Sequence, residues 1–122
     1  MKILMVEDED SIREPFAGML RRRKHTVFET GLGKEAIDII EKEKPDMVYL
    51  DISLKDEVSG MDVLKQCKPK FPEVEIVMMS AYVSEYQADA MSLGAFAFVK
   101  KPISKVEDFF GPLEAIKQKK GL

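Results

Sequence analysis

Short apolar runs alternate along the chain with longer segments in which apolar residues recur at helical spacing. The runs predict five β-strands, at Lys2–Val6, Thr26–Thr30, Met47–Asp51, Val74–Met79 and Phe96–Val99. The longer segments predict five α-helices, over residues 12–24, 36–44, 61–67, 84–93 and 106–116. This alternation is typical of an α/β domain whose parallel sheet is covered by helices on both faces. We expect residues 1–122 to form one such domain.

Several residues carry signals for the ends of these helices. Ser11 and Glu14 have capping-box spacing at the start of the first helix. Gly94 is placed to cap the carboxyl end of the fourth helix. The dipeptide Gly111-Pro112 lies within the fifth helix and is expected to bend or interrupt it.

Composition narrows the class of protein. The net charge of -3 argues against non-specific nucleic-acid binding, which requires a basic surface. No apolar stretch approaches the ~20 residues that a membrane span needs. The single cysteine, Cys67, cannot form an internal disulfide, which fits a reducing compartment. We therefore expect a cytoplasmic protein that binds neither nucleic acid nor membrane.

Chemically useful residues follow four of the predicted strands. Glu7 and Asp8 end the first strand, Asp51 the third, Ser80 the fourth and Lys101 the fifth. Because the carboxyl ends of parallel strands share one edge of the sheet, we expect these side chains to meet in one crevice. Three carboxylates in one place raise a pKa or recruit a cation, and hard oxygen ligands suit Mg²⁺.

A carboxylate beside Mg²⁺ can attack phosphorus and form an aspartyl phosphate. Asp51 is the candidate nucleophile in this sequence. The ammonium of Lys101 would neutralise charge on the phosphoryl oxygens, and the Ser80 hydroxyl can donate a hydrogen bond to them. The sequence thus predicts a phosphoryl-accepting site.

These residues resemble the receiver domain of two-component response regulators, the family of the chemotaxis receiver. The resemblance rests on four pieces in this order: Glu7-Asp8, Asp51, Ser80-Ala81 and Lys101-Pro102. It covers essentially the whole chain, and the four pieces are jointly much more specific than any one of them. The resemblance implies a flavodoxin-like, doubly wound sheet of five parallel strands in the order 2-1-3-4-5, with five helices.

The resemblance also implies roles for the site residues. Asp51 would take a phosphoryl group from the phosphohistidine of a sensor histidine kinase or phosphotransfer protein, as a signalling domain rather than an enzyme. Asp8, Asp51 and the backbone carbonyl of Ser53 would bind Mg²⁺, with Glu7 acting through a water. Lys101 would contact the phosphoryl group, and the bond before Pro102 is expected to be cis.

A conformational switch is implied as well. Ser80 and Phe98 fall on the positions of the family's switch pair, in which the hydroxyl moves toward the phosphoryl group and the ring turns inward. The fourth helix, fifth strand and fifth helix would then present the readout face to a downstream protein or output domain. Homodimerisation through this face on phosphorylation is common in the family. Ser53 and Tyr82 fall on positions that tune the phosphoryl lifetime, and we expect Tyr82 to shield the acyl phosphate from water.

Two departures from the family concern the loop after Asp51. Lys55 stands where the family usually has proline, and the loop to Gly60 is one residue longer than usual. These departures concern the shape of the loop and any partner that docks there. The alternative function is a degenerate receiver that acts only as a protein-binding module, although the intact set of acids, Asp51, Ser80 and Lys101 argues against it. A haloacid-dehalogenase-type phosphatase would need an aspartate where Ser53 stands, and a flavin-binding module would not place acids after the first strand. The sequence leaves open whether the receiver stands alone or belongs to a longer regulator.

Overall fold

A parallel sheet of five strands forms the centre of the computed structural model, which describes residues 1–122. The strands lie in the order β2-β1-β3-β4-β5. They are β1 (Lys2–Val6), β2 (Thr26–Thr30), β3 (Met47–Asp51), β4 (Glu75–Ser80) and β5 (Ala97–Lys100). The helices are α1 (Asp10–Arg22), α2 (Gly33–Glu43), α3 (Gly60–Cys67), α4 (Val83–Ser92) and α5 (Val106–Lys120). The predicted fold class, element number and strand order are confirmed.

The middle strand, β3, is buried along its whole length, as its uniformly apolar run up to Asp51 predicts. Alternate residues of the central strands point to opposite faces of the sheet, so two separate cores form. One core contains Val48 and Leu50 of β3 and residues of α2, α3 and α4. The other contains Met47 and Tyr49 of β3 and residues of α1 and α5. The predicted two-sided burial is confirmed.

The strand order reverses direction between β1 and β3. The chain passes from β1 outward to β2, and then returns to place β3 on the other side of β1. At such a switch point the two flanking loops leave in opposite directions and open a crevice at the carboxyl edge of the sheet. Glu7 and Asp8 follow β1 and Asp51 ends β3, so the acidic residues lie at this switch point.

The helix ends differ from the sequence-based expectations in two places. The predicted Ser11–Glu14 capping box is wrong, because α1 already begins at Asp10. The N-cap residue is Glu9, and its side chain makes no capping hydrogen bond. Of the predicted bend or interruption at Gly111-Pro112, the interruption is wrong, since α5 continues to Lys120 with its apolar face buried against the sheet. Gly94 follows α4 with a φ of 100°, which confirms its role at that helix end. None of the helices is long and apolar enough to cross a bilayer.

Helix α3 begins with a capping box that the sequence analysis did not identify. The Asp62 backbone N–H donates to the Ser59 hydroxyl at 3.1 Å, and the Ser59 backbone N–H donates to the Asp62 carboxylate at 3.0 Å. This reciprocal pair satisfies two of the N–H groups that every helix start leaves free. It fixes the end of the loop that leads from Asp51 into α3.

Candidate functional site

A cleft of about 280 Å³ opens at the carboxyl edge of the sheet. Its lining includes six of the residues to which the sequence analysis assigned a function. They are Asp8, Asp51, Ser53, Ser80, Tyr82 and Lys101. Glu7 lies beneath them and is fully buried. The residues that follow four different strands thus meet at one place, as the parallel topology requires.

Three carboxylates lie close together at the cleft: Asp8 and Asp51 line it, and Glu7 is buried next to them. One oxygen from each of Glu7, Asp8 and Asp51 lies within 4.8 Å of the other two. Asp51 is only 3% exposed, and its Oδ1 accepts the Ser53 backbone N–H at 3.3 Å. A second Glu7 oxygen accepts the Glu9 backbone N–H at 3.3 Å. These backbone contacts orient two of the three carboxylates.

Lys101 bridges two of the carboxylates with its side-chain ammonium. Its Nζ lies 2.6 Å from Glu7 Oε1 and 3.0 Å from Asp51 Oδ2. Burial alone lowers the pKa of Lys101, but the hydrogen bonds to Glu7 and Asp51 outweigh it and hold this pKa above its ordinary value. Lys101 therefore stays charged over the physiological pH range and partly neutralises the acidic cluster.

The cluster retains unbalanced negative charge around Asp8. Burial, and then the neighbouring Glu7 carboxylate, raise the pKa of Asp8, while the more distant Lys55 ammonium opposes the rise. A like-charge arrangement of oxygen donors that opens to solvent suits a hard divalent cation that keeps some of its waters. The three carboxylates form a group that could hold a metal ion, and their chemistry fits Mg²⁺.

The remaining predicted residues lie on β4 and β5 or directly after these strands. Ser80 is 3% exposed, and its hydroxyl oxygen accepts the Tyr82 backbone N–H at 2.9 Å. The Tyr82 ring is 60% exposed at the rim of the cleft. Phe98 lies on β5, half-buried against the core beside α4, and does not line the cleft. The peptide bond between Lys101 and Pro102 is cis.

Close backbone packing shapes the chain that leaves Asp51. The Gly60 backbone N–H donates to the Ile52 carbonyl at 2.9 Å and closes the base of the loop. A Cβ atom at Gly60 would lie 2.1 Å from the backbone oxygen of Asp51, which no side chain tolerates. Gly60 is therefore required for the observed position of the chain at Asp51, where β3 ends.

The sequence analysis did not identify two residues whose side chains hold the backbone near the site. Arg13 on α1 donates to the Glu7 backbone carbonyl at 2.8 Å and fastens the turn after β1. Asp56, in the loop after β3, accepts hydrogen bonds from the backbone of Gly33 and Lys34. A signal for Asp56 existed, because the start of α2 has no Ser, Thr, Asp or Asn of its own to cap it.

Comparison with known proteins gives one consistent result. The family model of the response regulator receiver domain matches residues 3–108. The Regulatory protein LuxO of Vibrio cholerae is 38% identical over 99 residues, which cover 80% of this chain and 22% of that protein. The chain thus spans about a fifth of the length of this curated relative.

Solved structures show the same likeness. The receiver domain of NtrX from Brucella abortus is 30% identical, with a TM-score of 0.84 over 94% of this chain and 98% of that one. A response regulator receiver domain protein from Clostridium thermocellum has a TM-score of 0.89 over 98% of this chain and 96% of that one. At 24% identity, the second structure supports the fold alone.

Proposed function

The chain belongs to the response regulator receiver domain family, and from this premise we propose that Asp51 is its phosphoryl acceptor. The phosphoryl donor would be the phosphohistidine of a sensor histidine kinase or phosphotransfer protein. The Asp51 carboxylate attacks phosphorus, the P–N bond to the imidazole breaks, and the electron pair leaves with the imidazole. The product is an aspartyl phosphate, and the domain acts as a signalling switch whose only chemistry is its own phosphorylation and dephosphorylation.

Mg²⁺ is the proposed cofactor. Asp8, Asp51 and the Ser53 backbone carbonyl would hold the ion directly, and Glu7 would act through a bound water. When bound, the ion supplies positive charge that offsets the charge of the phosphoryl oxygens. Its place would be the side of the cluster that Lys101 does not neutralise, where burial and then the Glu7 carboxylate raise the pKa of Asp8.

Lys101 is proposed to stabilise the transferred phosphoryl group. Its Nζ already lies 3.0 Å from Asp51 Oδ2, so the ammonium is in place before transfer. A preorganised positive charge next to the nucleophile needs little rearrangement when charge develops on the phosphoryl oxygens. Glu7, at 2.6 Å from the same Nζ, orients the ammonium.

Ser80 and Phe98 are proposed as the switch pair. The Ser80 hydroxyl oxygen accepts from the Tyr82 backbone, which leaves the hydroxyl proton free to donate to a phosphoryl oxygen. Phe98, half-buried on the neighbouring strand, would turn further inward as Ser80 moves. Phosphorylation thus shifts the population between two packings of α4, β5 and α5. Ser53 and Tyr82 would tune the lifetime, with the Tyr82 ring limiting the access of water.

The readout surface is proposed to be the face formed by α4, β5 and α5. Apolar side chains are exposed at Tyr82, Met91 and Val106, at 60%, 42% and 48%. Such residues suit contact with a downstream protein, with an output domain or with a second receiver after phosphorylation. The domain is proposed to act in the cytoplasm, where its phosphohistidine donor would meet it, without direct contact to nucleic acid or membrane.

The bridging of Glu7 and Asp51 by Lys101, next to Asp8, is the observation that carries this proposal. A degenerate receiver does not need all four of these charged side chains together at one edge of the sheet. The test is intact-mass spectrometry after incubation with acetyl phosphate and Mg²⁺. We expect a single labile phosphoryl adduct, lost in EDTA and in Asp51→Asn. Absence of any adduct, in a folded protein, would identify a binding module that works without phosphorylation.

A further inference from the structure

The loop between β3 and α3 is tied to a neighbouring helix by one carboxylate. Asp56 Oδ1 accepts the Gly33 backbone N–H at 3.0 Å, and Oδ2 accepts the Lys34 backbone N–H at 3.0 Å. Both N–H groups belong to the first turn of α2, whose own N-cap residue, Leu32, supplies no side-chain acceptor. Asp56 therefore caps the start of α2, although Gly33 and Lys34 precede it by 23 and 22 positions in the sequence.

Backbone packing brings the same loop against the same helix start. A Cβ at Gly33 would lie 2.1 Å from the carbonyl oxygen of Val58, so the two backbones touch where α2 begins. The charge of Asp56 also suits the positive end of the α2 dipole. Two independent contacts thus hold the middle of the loop, and the Ser59–Asp62 capping box holds its end.

The position of this loop decides the position of Ser53. Between Ile52 and Ser59 the chain has no regular secondary structure and no proline to restrict it. Ser53 is exposed at the rim of the cleft, and its backbone N–H contacts Asp51 Oδ1 at 3.3 Å. The carboxylate of Asp56 restrains this segment from outside, because it lies three residues beyond Ser53 and is anchored on α2.

We propose that Asp56 is a positioning residue for the cation site. By anchoring the loop to α2, Asp56 holds Ser53 and Asp51 in the arrangement that binds the cation. This inference rests on the proposed function, because it assumes that the cleft binds Mg²⁺. Partners that orient metal ligands typically contribute about 10- to 100-fold to metal affinity. Asp56 acts through the backbone of the loop, so we expect the lower end of that range.

The experiment measures binding of Mg²⁺ alone, without phosphoryl donor, by calorimetry and by NMR titration. The variants are Asp56→Ala, which removes both acceptors, and Asp56→Asn, which keeps one. Glu57→Ala is the matched control, because Glu57 is the adjacent exposed acid and makes no hydrogen bond or ion pair. In the wild type, the amide resonances of Gly33 and Lys34 should shift during the titration, although neither residue lies in the cleft.

We expect the Kd for Mg²⁺ to rise about tenfold in Asp56→Ala and to rise less in Asp56→Asn. Glu57→Ala should retain the wild-type Kd. A purely structural cap would lower the melting temperature of Asp56→Ala but leave its Kd unchanged, and that result would overturn the inference alone. If the wild type itself binds no Mg²⁺, both the proposed function and this inference fail.

Discussion

Replacement of Lys101 by methionine removes a charge that holds two buried carboxylates together. The Lys101 Nζ lies 2.6 Å from Glu7 and 3.0 Å from Asp51, and Glu7 is completely buried. At an effective dielectric constant near 20, each contact corresponds to about 6 kcal/mol of Coulomb attraction before desolvation is subtracted. Loss of one partner from a buried pair typically costs about 3–5 kcal/mol. Because the Lys101 side chain is 17% exposed, we expect the substitution to lower the free energy of unfolding by about 3 kcal/mol, near the lower end of that range.

The assay is urea unfolding at pH 7 in EDTA. With a denaturant slope of about 1.5–2 kcal/mol/M, a loss of this size lowers the midpoint by about 1.5–2 M. The pKa of Lys101 is raised in the folded state, so its stabilisation is complete below the unfolded-state value of 10.5 and is lost only as pH rises through the folded value. At pH 7 the full effect is therefore expected.

Two further variants isolate the electrostatic cause. The double variant Lys101→Met with Glu7→Gln should recover much of the stability, because no uncompensated buried carboxylate remains at position 7. Lys100→Met, at the exposed neighbouring position, should change stability by less than about 0.5 kcal/mol. The reasoning is refuted if Lys101→Met loses under about 1 kcal/mol, or if the effects of Lys101→Met and Glu7→Gln simply add.

Three other predictions concern the carboxylates of Asp8 and Glu75 and the ring of Tyr82. Asp8→Asn should stabilise the metal-free protein by about 1 kcal/mol at pH 7. The raised pKa of Asp8 makes this gain grow as pH rises above 3.8, so an equal gain at pH 3 and pH 7 in urea unfolding would contradict it. Glu75→Gln should cost about 2 kcal/mol at pH 7. Burial raises the Glu75 pKa, but the hydrogen bonds from Lys119 and Lys68 lower it overall. The stability it adds is therefore present above pH 4.5 and lost as pH falls through its folded pKa, and a cost that persists in acid would disprove the pairing. Tyr82→Ala should shorten the phosphoryl lifetime several-fold, measured by adduct decay, whereas Tyr82→Phe should not, and equal lifetimes would exclude shielding.

The strand ends could be predicted because they depend on a topological rule rather than on fine geometry. Once five apolar runs alternate with helices, every strand of the parallel sheet must end at the same edge, so Asp51 and Lys101 must both lie there. β4 separates their strands, and the long Lys101 side chain covers that distance. Their separation of 50 positions in the sequence does not matter to this rule. The candidate site could therefore be identified from residue type and strand position.

Contacts between loops could not be predicted in the same way. The Asp56 caps on α2 depend on the path of an irregular loop, and no sequence period reports that path. The prediction of a cap at the start of α1 was wrong for a related reason. Ser11 has the residue type of an N-cap, but the helix begins one residue before it. The continuity of α5 through Pro112 depends on tertiary burial of Phe109 and Leu113, which outweighs the local preference.

The position of the phosphoryl group is the most direct test of the proposed acceptor. After incubation with acetyl phosphate and Mg²⁺, reduction by borohydride converts an aspartyl phosphate to homoserine, and peptide mass spectrometry then locates the converted residue. We expect homoserine at position 51 alone, and none when Mg²⁺ is withheld. Homoserine at Asp8 or another aspartate, or none at all in protein that carries the adduct, would contradict the role of Asp51.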